Sequence, residues 1–583
     1  MNARPTDSLA IALAQLNSTV GDIDGNAGKV RAARAQAVRD GADLVAFPEL
    51  FICGYPPEDL VLKPALQAAC RAKVEALARE TADGGPAMLI GTPWVEEGNL
   101  YNAYCLLDGG AIAAVRRKVD LPNYGVFDEK RVFVPGPLPG PISFRGVRIG
   151  VPICEDIWGV DVVETLAETG TELMIVPNGS PYHRDKDDIR FNIAVARVTE
   201  SDLPMVYVNQ VGGQDELVFD GASFGLHADR SLAFLLPAFT EQVTTVRWRR
   251  SGNTWRCAGG PVAKATGDGD HEDYIACMLG LRDYVAKNGF KGVVLGLSGG
   301  IDSALVAAMA VDALGAERVR CVMLPYRFTS QASLGDAASV ARALRVTYDV
   351  VPIEKAVQGF EQTLSPLFKD LPRDVTEENL QARARGTILM AVSNKFGLMV
   401  VTTGNKSEMS VGYATLYGDM NGGFNPVKDI YKTEVYRLAR LRNQWKPDGA
   451  LGPSGPVIPD NIITRAPSAE LRENQTDQDS LPPYDTLDAI LERLIEREEP
   501  IAAIVKAGFD METVARVARM LDLAEYKRRQ SAPGVKVTLK NFGRDRRYPI
   551  VNRFRDTGAA LPEPDRALLK DQSAGGMGEA FDY

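Results

Sequence analysis

The run Gly296-Leu297-Ser298-Gly299-Gly300-Ile301-Asp302-Ser303 constrains the fold more than any other stretch of the chain. It joins an apolar segment of strand character, Val293 to Leu297, to a helical one, Ala304 to Leu314. A strand that turns through Ser-Gly-Gly into a helix leaves backbone N–H groups unpaired at a positive helix terminus, which is a place to hold phosphate oxygens. The glycines let the backbone approach closely, Ser298 and Ser303 offer hydroxyls, and Asp302 can orient a cation that bridges phosphates. The run carries neither the Gly-Lys-Ser/Thr of a Walker loop nor the G-x-G-x-x-G spacing of a dinucleotide fingerprint.

Strands and helices alternate on both sides of this turn, which predicts an α/β fold throughout. The 583 residues exceed one ordinary domain. Periodicity decays after Leu236 into a polar, Gly-rich stretch, so the expected division is a first domain at 1–240, a linker at 241–270, a second domain at 271–556 and a tail at 557–583. The Asp108-Gly109-Gly110 turn predicts a hairpin and hence a mixed sheet in the first half. The second half, with strand–helix alternation from Val293 to Thr402, predicts a doubly wound parallel sheet, followed past Tyr417 by Gly-, Pro- and Asp-rich surface loops.

Composition excludes several classes. Lys and Arg number 66 against 76 Asp and Glu, a net charge of −10, which argues against a nucleic-acid-binding face. Seven cysteines without a C-x-x-C pair argue against a disulfide framework or a zinc site and for a reducing cytoplasm. No apolar run reaches membrane-spanning length. Three scattered histidines, His183, His227 and His271, leave catalysis to other residues.

A second polar loop, Thr403-Gly404-Asn405-Lys406-Ser407-Glu408, follows a predicted strand and belongs with the first at the carboxyl ends of a parallel sheet. Thr403 suits a base or ribose, and Glu408 suits magnesium or a sugar hydroxyl. With Glu378-Asn379-Leu380-Gln381-Ala382-Arg383 and Ala466-Pro467-Ser468-Ala469-Glu470-Leu471, these loops resemble, in order, the synthetase domain of the NAD synthetases, an ATP-pyrophosphatase fold that adenylates deamido-NAD and lets ammonia displace AMP. The resemblance implies ATP contacts from Gly296, Leu297, Ser298, Gly299, Gly300, Ile301, Asp302, Ser303, Thr403, Lys432 and Ser468. It implies deamido-NAD contacts from Asn379, Glu408 and Lys527, and magnesium at Asp302 and Glu408. Lys432 opens a helix, where a lysine is ordinarily solvated.

In the first half, Glu49, Lys118 and Cys154 each follow a predicted strand, and strand ends converge. A cysteine needs a base and a nearby positive charge to attack an amide, and Glu with Lys supplies both. Glu155 and Asp156, directly after Cys154, are not core filling; they suit the orientation of Lys118 and of a substrate amine. Phe47-Pro48-Glu49-Leu50, Arg117-Lys118-Val119-Asp120-Leu121-Pro122 and Ile153-Cys154-Glu155-Asp156 resemble the nitrilase superfamily, which implies an α-β-β-α sandwich with Glu49 as general base, Lys118 as oxyanion stabiliser and Cys154 as nucleophile. In glutamine amidohydrolases of this type, Tyr124, Glu155, Ser180 and Lys186 would hold glutamine, with Arg184 able to replace Lys186.

The combined order resembles the glutamine-dependent NAD synthetases from about Leu9 to Arg555. That resemblance implies glutamine, ATP and deamido-NAD as substrates, magnesium with the ATP, no prosthetic group, and a homo-oligomer. The alternatives are a pyrophosphate-loop amidotransferase or thiolation enzyme with another acceptor, and a nucleotide-binding regulator without catalysis.

Overall fold

A computed structural model of the chain describes residues 7–559, and the chain divides into two compact units between Thr266 and Gly267. The tail expected at 557–583 lies outside the described residues from 560 onward.

The first unit is built on two large sheets and also holds a two-stranded one, Val211–Gln214 with Leu217–Asp220. One has seven strands, in the order Thr254–Cys257, Gln242–Ser251, Ser8–Gln15, Leu44–Ala46, Ala87–Glu96, Asn99–Asp108, Ala111–Arg117. Its middle three strands are parallel neighbours and the rest pair antiparallel, including the expected hairpin. The other sheet has six strands, with Val147–Gly150, Leu173–Asn178 and Met205–Asn209 parallel at its centre. Alternation along the strands decides the layers, because successive side chains point to opposite faces. Leu9, Ile11 and Leu13 pack with Ile149, Ile175 and Val208 between the sheets. Ala12 and Ala14 turn the other way, toward helices Ile23–Arg39 and Pro64–Glu80. Val163, Ala194 and Val198, on helices Asp161–Glu168 and Lys186–Ser201, cover the outer face of the six-stranded sheet. The result is a helix–sheet–sheet–helix sandwich.

About half of the linker expected at 241–270 is sheet. Gln242–Ser251 pairs along the whole of Ser8–Gln15, and Trp248 and Trp255 are fully buried. The sequence hid this strand because Arg247 and Arg249 alternate with its buried Val246 and Trp248, so it reads as polar.

In the second unit four parallel strands stand in the order Thr347–Val350, Val319–Met323, Val293–Gly296, Met399–Val400. The chain winds outward through three strands and then returns to the far side of the first. The order therefore reverses between Val293–Gly296 and Met399–Val400, where loops part and leave a crevice. Helix Val375–Phe396 covers one face through Ala384, Ile388 and Leu389 against Val294, Val322 and Val400. The stretch past Tyr417, expected as surface loop, is buried from Phe424 to Tyr431. Phe424 bridges to Val401 at the sheet's end, and Asp429 is neutralised by Lys406 at 2.8 Å.

Gly91 shows how the first unit places a site residue. A Cβ there would fall 2.2 Å from the Leu50 nitrogen and 2.9 Å from the Glu49 carbonyl carbon, both backbone atoms. Gly91→Ala is expected to displace the Glu49 turn and to cost about 1–3 kcal/mol, seen as a lowered midpoint of thermal unfolding.

Candidate active sites

In the first unit, Glu49, Lys118 and Cys154 come together although 105 residues separate the first from the last. Lys118 directly follows strand Ala111–Arg117 and is fully buried. Its ammonium donates to Glu49 Oε1 at 2.7 Å and to both oxygens of Glu129 at 3.0 Å. Burial pulls the ammonium's pKa down, but the carboxylates of Glu129 and Glu49 outweigh that and hold it well above the usual lysine range. Glu49 is further fixed by Asn102 Nδ2 at 2.7 Å and by the Gly179 N–H at 3.0 Å. These contacts hold the Glu49 carboxyl group in one orientation.

Cys154 opens a short 3-10 turn, Cys154–Ile157, with φ at +48°, a left-handed conformation that a side-chain-bearing residue adopts only when its surroundings force it. Burial, then the negative charge of Glu49, push its thiol well above the usual range, with Lys118 opposing. A thiol raised in this way favours its neutral form and needs a base to take its proton as the sulfur attacks, a part that the neighbouring Glu49 is placed to play. Asp156 braces the turn: its carboxylate accepts from Val119 N–H at 3.0 Å, Asp120 N–H at 2.8 Å and Ile153 N–H at 2.9 Å. One carboxylate thus ties the loop after Lys118 to the turn of Cys154. The ammonium of Lys118, however, is oriented by Glu49 and Glu129, not by Glu155 or Asp156.

The residues expected around glutamine lie close by. Tyr124 Oη donates to both Glu155 oxygens at 3.0 Å. The Ser180 backbone is gripped by Asn209, whose side chain accepts from its N–H at 3.0 Å and donates to its carbonyl at 3.1 Å. Lys186 is buried with its ammonium 4.5 Å from the Trp158 ring centroid. Burial raises the Glu155 pKa to about 7, with Lys118, Tyr124 and Lys186 opposing.

In the second unit, the crevice at the strand-order reversal is a cavity of about 340 Å³ lined by Ser298, Asp302, Thr403, Glu408, Lys432 and Ser468, among others. Gly299, at φ +81°, allows the turn: a Cβ there would lie 2.3 Å from the Ser333 carbonyl oxygen. The Leu297 and Ile301 side chains are buried, the Leu297 N–H donates to the Val322 carbonyl at 2.9 Å, and Gly299 itself does not line the cavity. Ser303 Oγ donates to the Gly300 carbonyl at 3.0 Å, bracing the turn from within.

Lys432, read from sequence as an ordinarily solvated position, is 2% exposed. Its ammonium meets Asp302 Oδ2 at 2.5 Å and Glu408 Oε1 at 3.1 Å. Burial lowers its pKa, but the two carboxylates outweigh burial and raise it. Burial and the Asp302 charge lift Glu408 to about 8 against the pull of Lys432. Asn405 Nδ2 donates to Asp302 Oδ1 at 2.8 Å while its Oδ1 accepts the Glu408 N–H at 3.0 Å, linking the two loops. Two carboxylates that converge on one cation position suit magnesium, which takes one or two carboxylates and completes its shell with water and substrate phosphates.

Two expected deamido-NAD contacts stand back from this cavity. Asn379 Oδ1 accepts from Thr415 Oγ1 at 3.0 Å, and Lys527 donates to the Gly412 and Ala414 carbonyls at 2.7 and 2.8 Å. Neither lines the cavity, although Ala414 does. Sequence reasoning missed Glu129, which sits in Asp128-Glu129-Lys130-Arg131 and reads as a solvated charge run. It also missed Asn102, an isolated polar residue within a strand, and Asp477, a buried carboxylate that lines the cavity.

A buried Glu-Lys-Cys group in a helix–sheet–sheet–helix sandwich, followed by a phosphate-type turn in a separate parallel-sheet unit, defines a two-part enzyme: a carbon–nitrogen hydrolase joined to a nucleotide-activating unit. The carbon-nitrogen hydrolase family profile matches residues 10–252, and the NAD synthase profile matches residues 274–531. The chain is 53% identical to a glutamine-dependent NAD(+) synthetase of Rhodobacter capsulatus, over 94% of this chain and 100% of that protein. It is 46% identical to one from Acinetobacter baylyi, over 94% and 99%. A solved glutamine-dependent NAD+ synthetase of Acinetobacter baumannii, in complex with adenosine diphosphate, matches with a TM-score of 0.74 at 44% identity, over 94% of this chain and 99% of that one. The chain belongs to the glutamine-dependent NAD(+) synthetase family.

Glu155 yields a pH prediction. Its folded pKa is raised above the unfolded value of 4.5, so its contribution to stability is full below about pH 4.5 and is lost as pH rises through about 7. Glu155→Gln is expected to gain melting temperature relative to the parent chain as pH rises from about 5 to about 8, measured by paired thermal melts.

Proposed function

We propose that the chain converts glutamine, ATP and deamido-NAD to glutamate, NAD, AMP and pyrophosphate. The observation that carries this reading is the presence, on one chain, of an amide-cleaving group of nucleophile, base and ammonium and of a phosphate turn facing two convergent carboxylates.

In the first unit, Cys154 Sγ attacks the side-chain carboxamide carbon of glutamine while Glu49 takes the thiol proton. Lys118, held charged by Glu49 and Glu129, offsets the negative charge that develops on the carboxamide oxygen. Glu49 then passes its proton to the departing nitrogen, ammonia leaves, and a thioester remains. Water, deprotonated by Glu49, opens the thioester to give glutamate and the free thiol. Tyr124, Glu155, Ser180 and Lys186 hold the substrate's amino and carboxylate ends.

In the second unit, the deamido-NAD carboxylate oxygen bonds to the α-phosphorus of ATP and the bond to pyrophosphate breaks. Ammonia then attacks the acyl carbon, AMP leaves with the bonding pair, and the nitrogen loses a proton. The Ser298–Ser303 turn offers backbone N–H groups to the phosphates, and Lys432 offers a mobile positive charge once a ligand competes for its carboxylates. Thr403 and Ser468 contact ATP, while Asn379 and Lys527 shape the acceptor side by holding the 412–415 loop. Magnesium, held by Asp302 and Glu408, would neutralise charge moving onto pyrophosphate.

Seven cysteines free of disulfides suit a reducing cytoplasm, and no described helix is long and apolar enough to cross a membrane. We expect a homo-oligomer, readable by light scattering. Cys154→Ala is expected to abolish NAD formation from glutamine while ammonia still supports it, both followed as NAD appearance with deamido-NAD and magnesium-ATP. Loss of both rates would remove Cys154 from the nucleophile's role, and no NAD from the parent chain would sink the whole reading.

A further inference from the structure

Lys432, at the start of helix Lys432–Gln444, reaches Asp302 and Glu408 only if that helix end is held in place. The first N–H groups of a helix have no partner within it. Here they are met from two other parts of the chain. The Lys432 N–H donates to Ser407 Oγ at 2.9 Å, and the Thr433 N–H donates to Asp488 Oδ2 at 2.9 Å. Ser407 in turn donates to Asp488 Oδ1 at 2.5 Å. Asp488 lies on helix Tyr484–Ile495, yet each of its oxygens serves another segment. One oxygen reaches the neighbour of Glu408 and the other the neighbour of Lys432. Ser407 is fully buried and Asp488 is 7% exposed, so water does not readily replace either bond. A carboxylate at a helix N-terminus is also favoured by the helix dipole.

We infer that Asp488, acting through Ser407, is a positioning residue for ATP binding: it sets the distance between the Lys432 ammonium and the carboxylates of Glu408 and Asp302. This rests on the ATP-dependent reading above. The pair acts on the unliganded site, before any bond to phosphorus changes, so its loss falls on affinity ahead of turnover. Asp302 is held to the same frame by Asn405, which lets the three charged groups meet without direct contact from Asp488.

The test uses the full chain and magnesium-ATP. Calorimetric titration gives its Kd, and steady-state rates with ammonia as nitrogen donor give KM for ATP and kcat. Asp488→Ala is expected to weaken magnesium-ATP binding roughly tenfold and to raise KM by a similar factor, with kcat at saturation within about threefold of the parent. Ser407→Ala is expected to do the same, and Asp488→Asn, which keeps an acceptor for the Thr433 N–H, to recover part of the affinity. If Asp488→Ala does not fold, Ser407→Ala and Asp488→Asn carry the measurement. Parent affinity in the folded variants overturns the inference, as does a fall in kcat that tracks a lowered melting temperature with Kd unchanged. A parent chain that does not bind magnesium-ATP overturns both this inference and the functional reading, whereas parent binding with unaltered variants overturns the inference alone.

Discussion

Each unit depends on a buried ammonium shared between two carboxylates. Lys118 lies between Glu49 and Glu129, and Lys432 between Asp302 and Glu408. Taking three charges out of water is costly, and such a group persists only where geometry and further hydrogen bonds compensate. In both places the compensation is visible: Asn102, Tyr55 and the Gly179 N–H around the first, Asn405 around the second. Replacing one member would strand a charge, so the surrounding backbone is committed to this arrangement.

The two clusters differ in what they are poised to do. In the first, the ammonium is fully enclosed and its partners are fixed, which suits a charge that must meet an oxyanion without moving far. In the second, the same three-group pattern lines an open cavity together with Ser298 and Gly300 of the Ser-Gly-Gly turn. A lysine that shares two carboxylates can yield them to a divalent cation and turn toward phosphate, so this cluster is suited to exchange partners on ligand binding. The difference is one of enclosure, not of residue type.

Much of the fold was legible because it rests on periodicity. Strand Val293–Gly296 and helix Ile301–Leu314 stand within a few residues of the bounds read from sequence. The strand Gln242–Ser251 escaped because charged side chains alternate with its buried ones. The buried segment Phe424–Tyr431 escaped because a Gly-, Pro- and Asp-rich run looks solvated until an ion pair from Lys406 is known to neutralise Asp429. Site residues followed the same division. Glu49, Lys118 and Cys154 were readable as chemistry at predicted strand ends. Glu129 was hidden in a charge run, and Lys432 entered only through the resemblance, as an ATP contact at a position where a lysine is ordinarily solvated, because the sequence carries no record of how deep a side chain will lie.

The sequence by itself determined the two α/β halves, the Ser-Gly-Gly turn between a strand and a helix, and the residue types available for chemistry, since each depends on neighbours a few positions away. Only the tertiary structure decided which carboxylates share a lysine, which helix end Asp488 holds and where the first unit stops. Those outcomes depend on long-range burial, because an ion pair gains its strength and its cost from the water that folding removes.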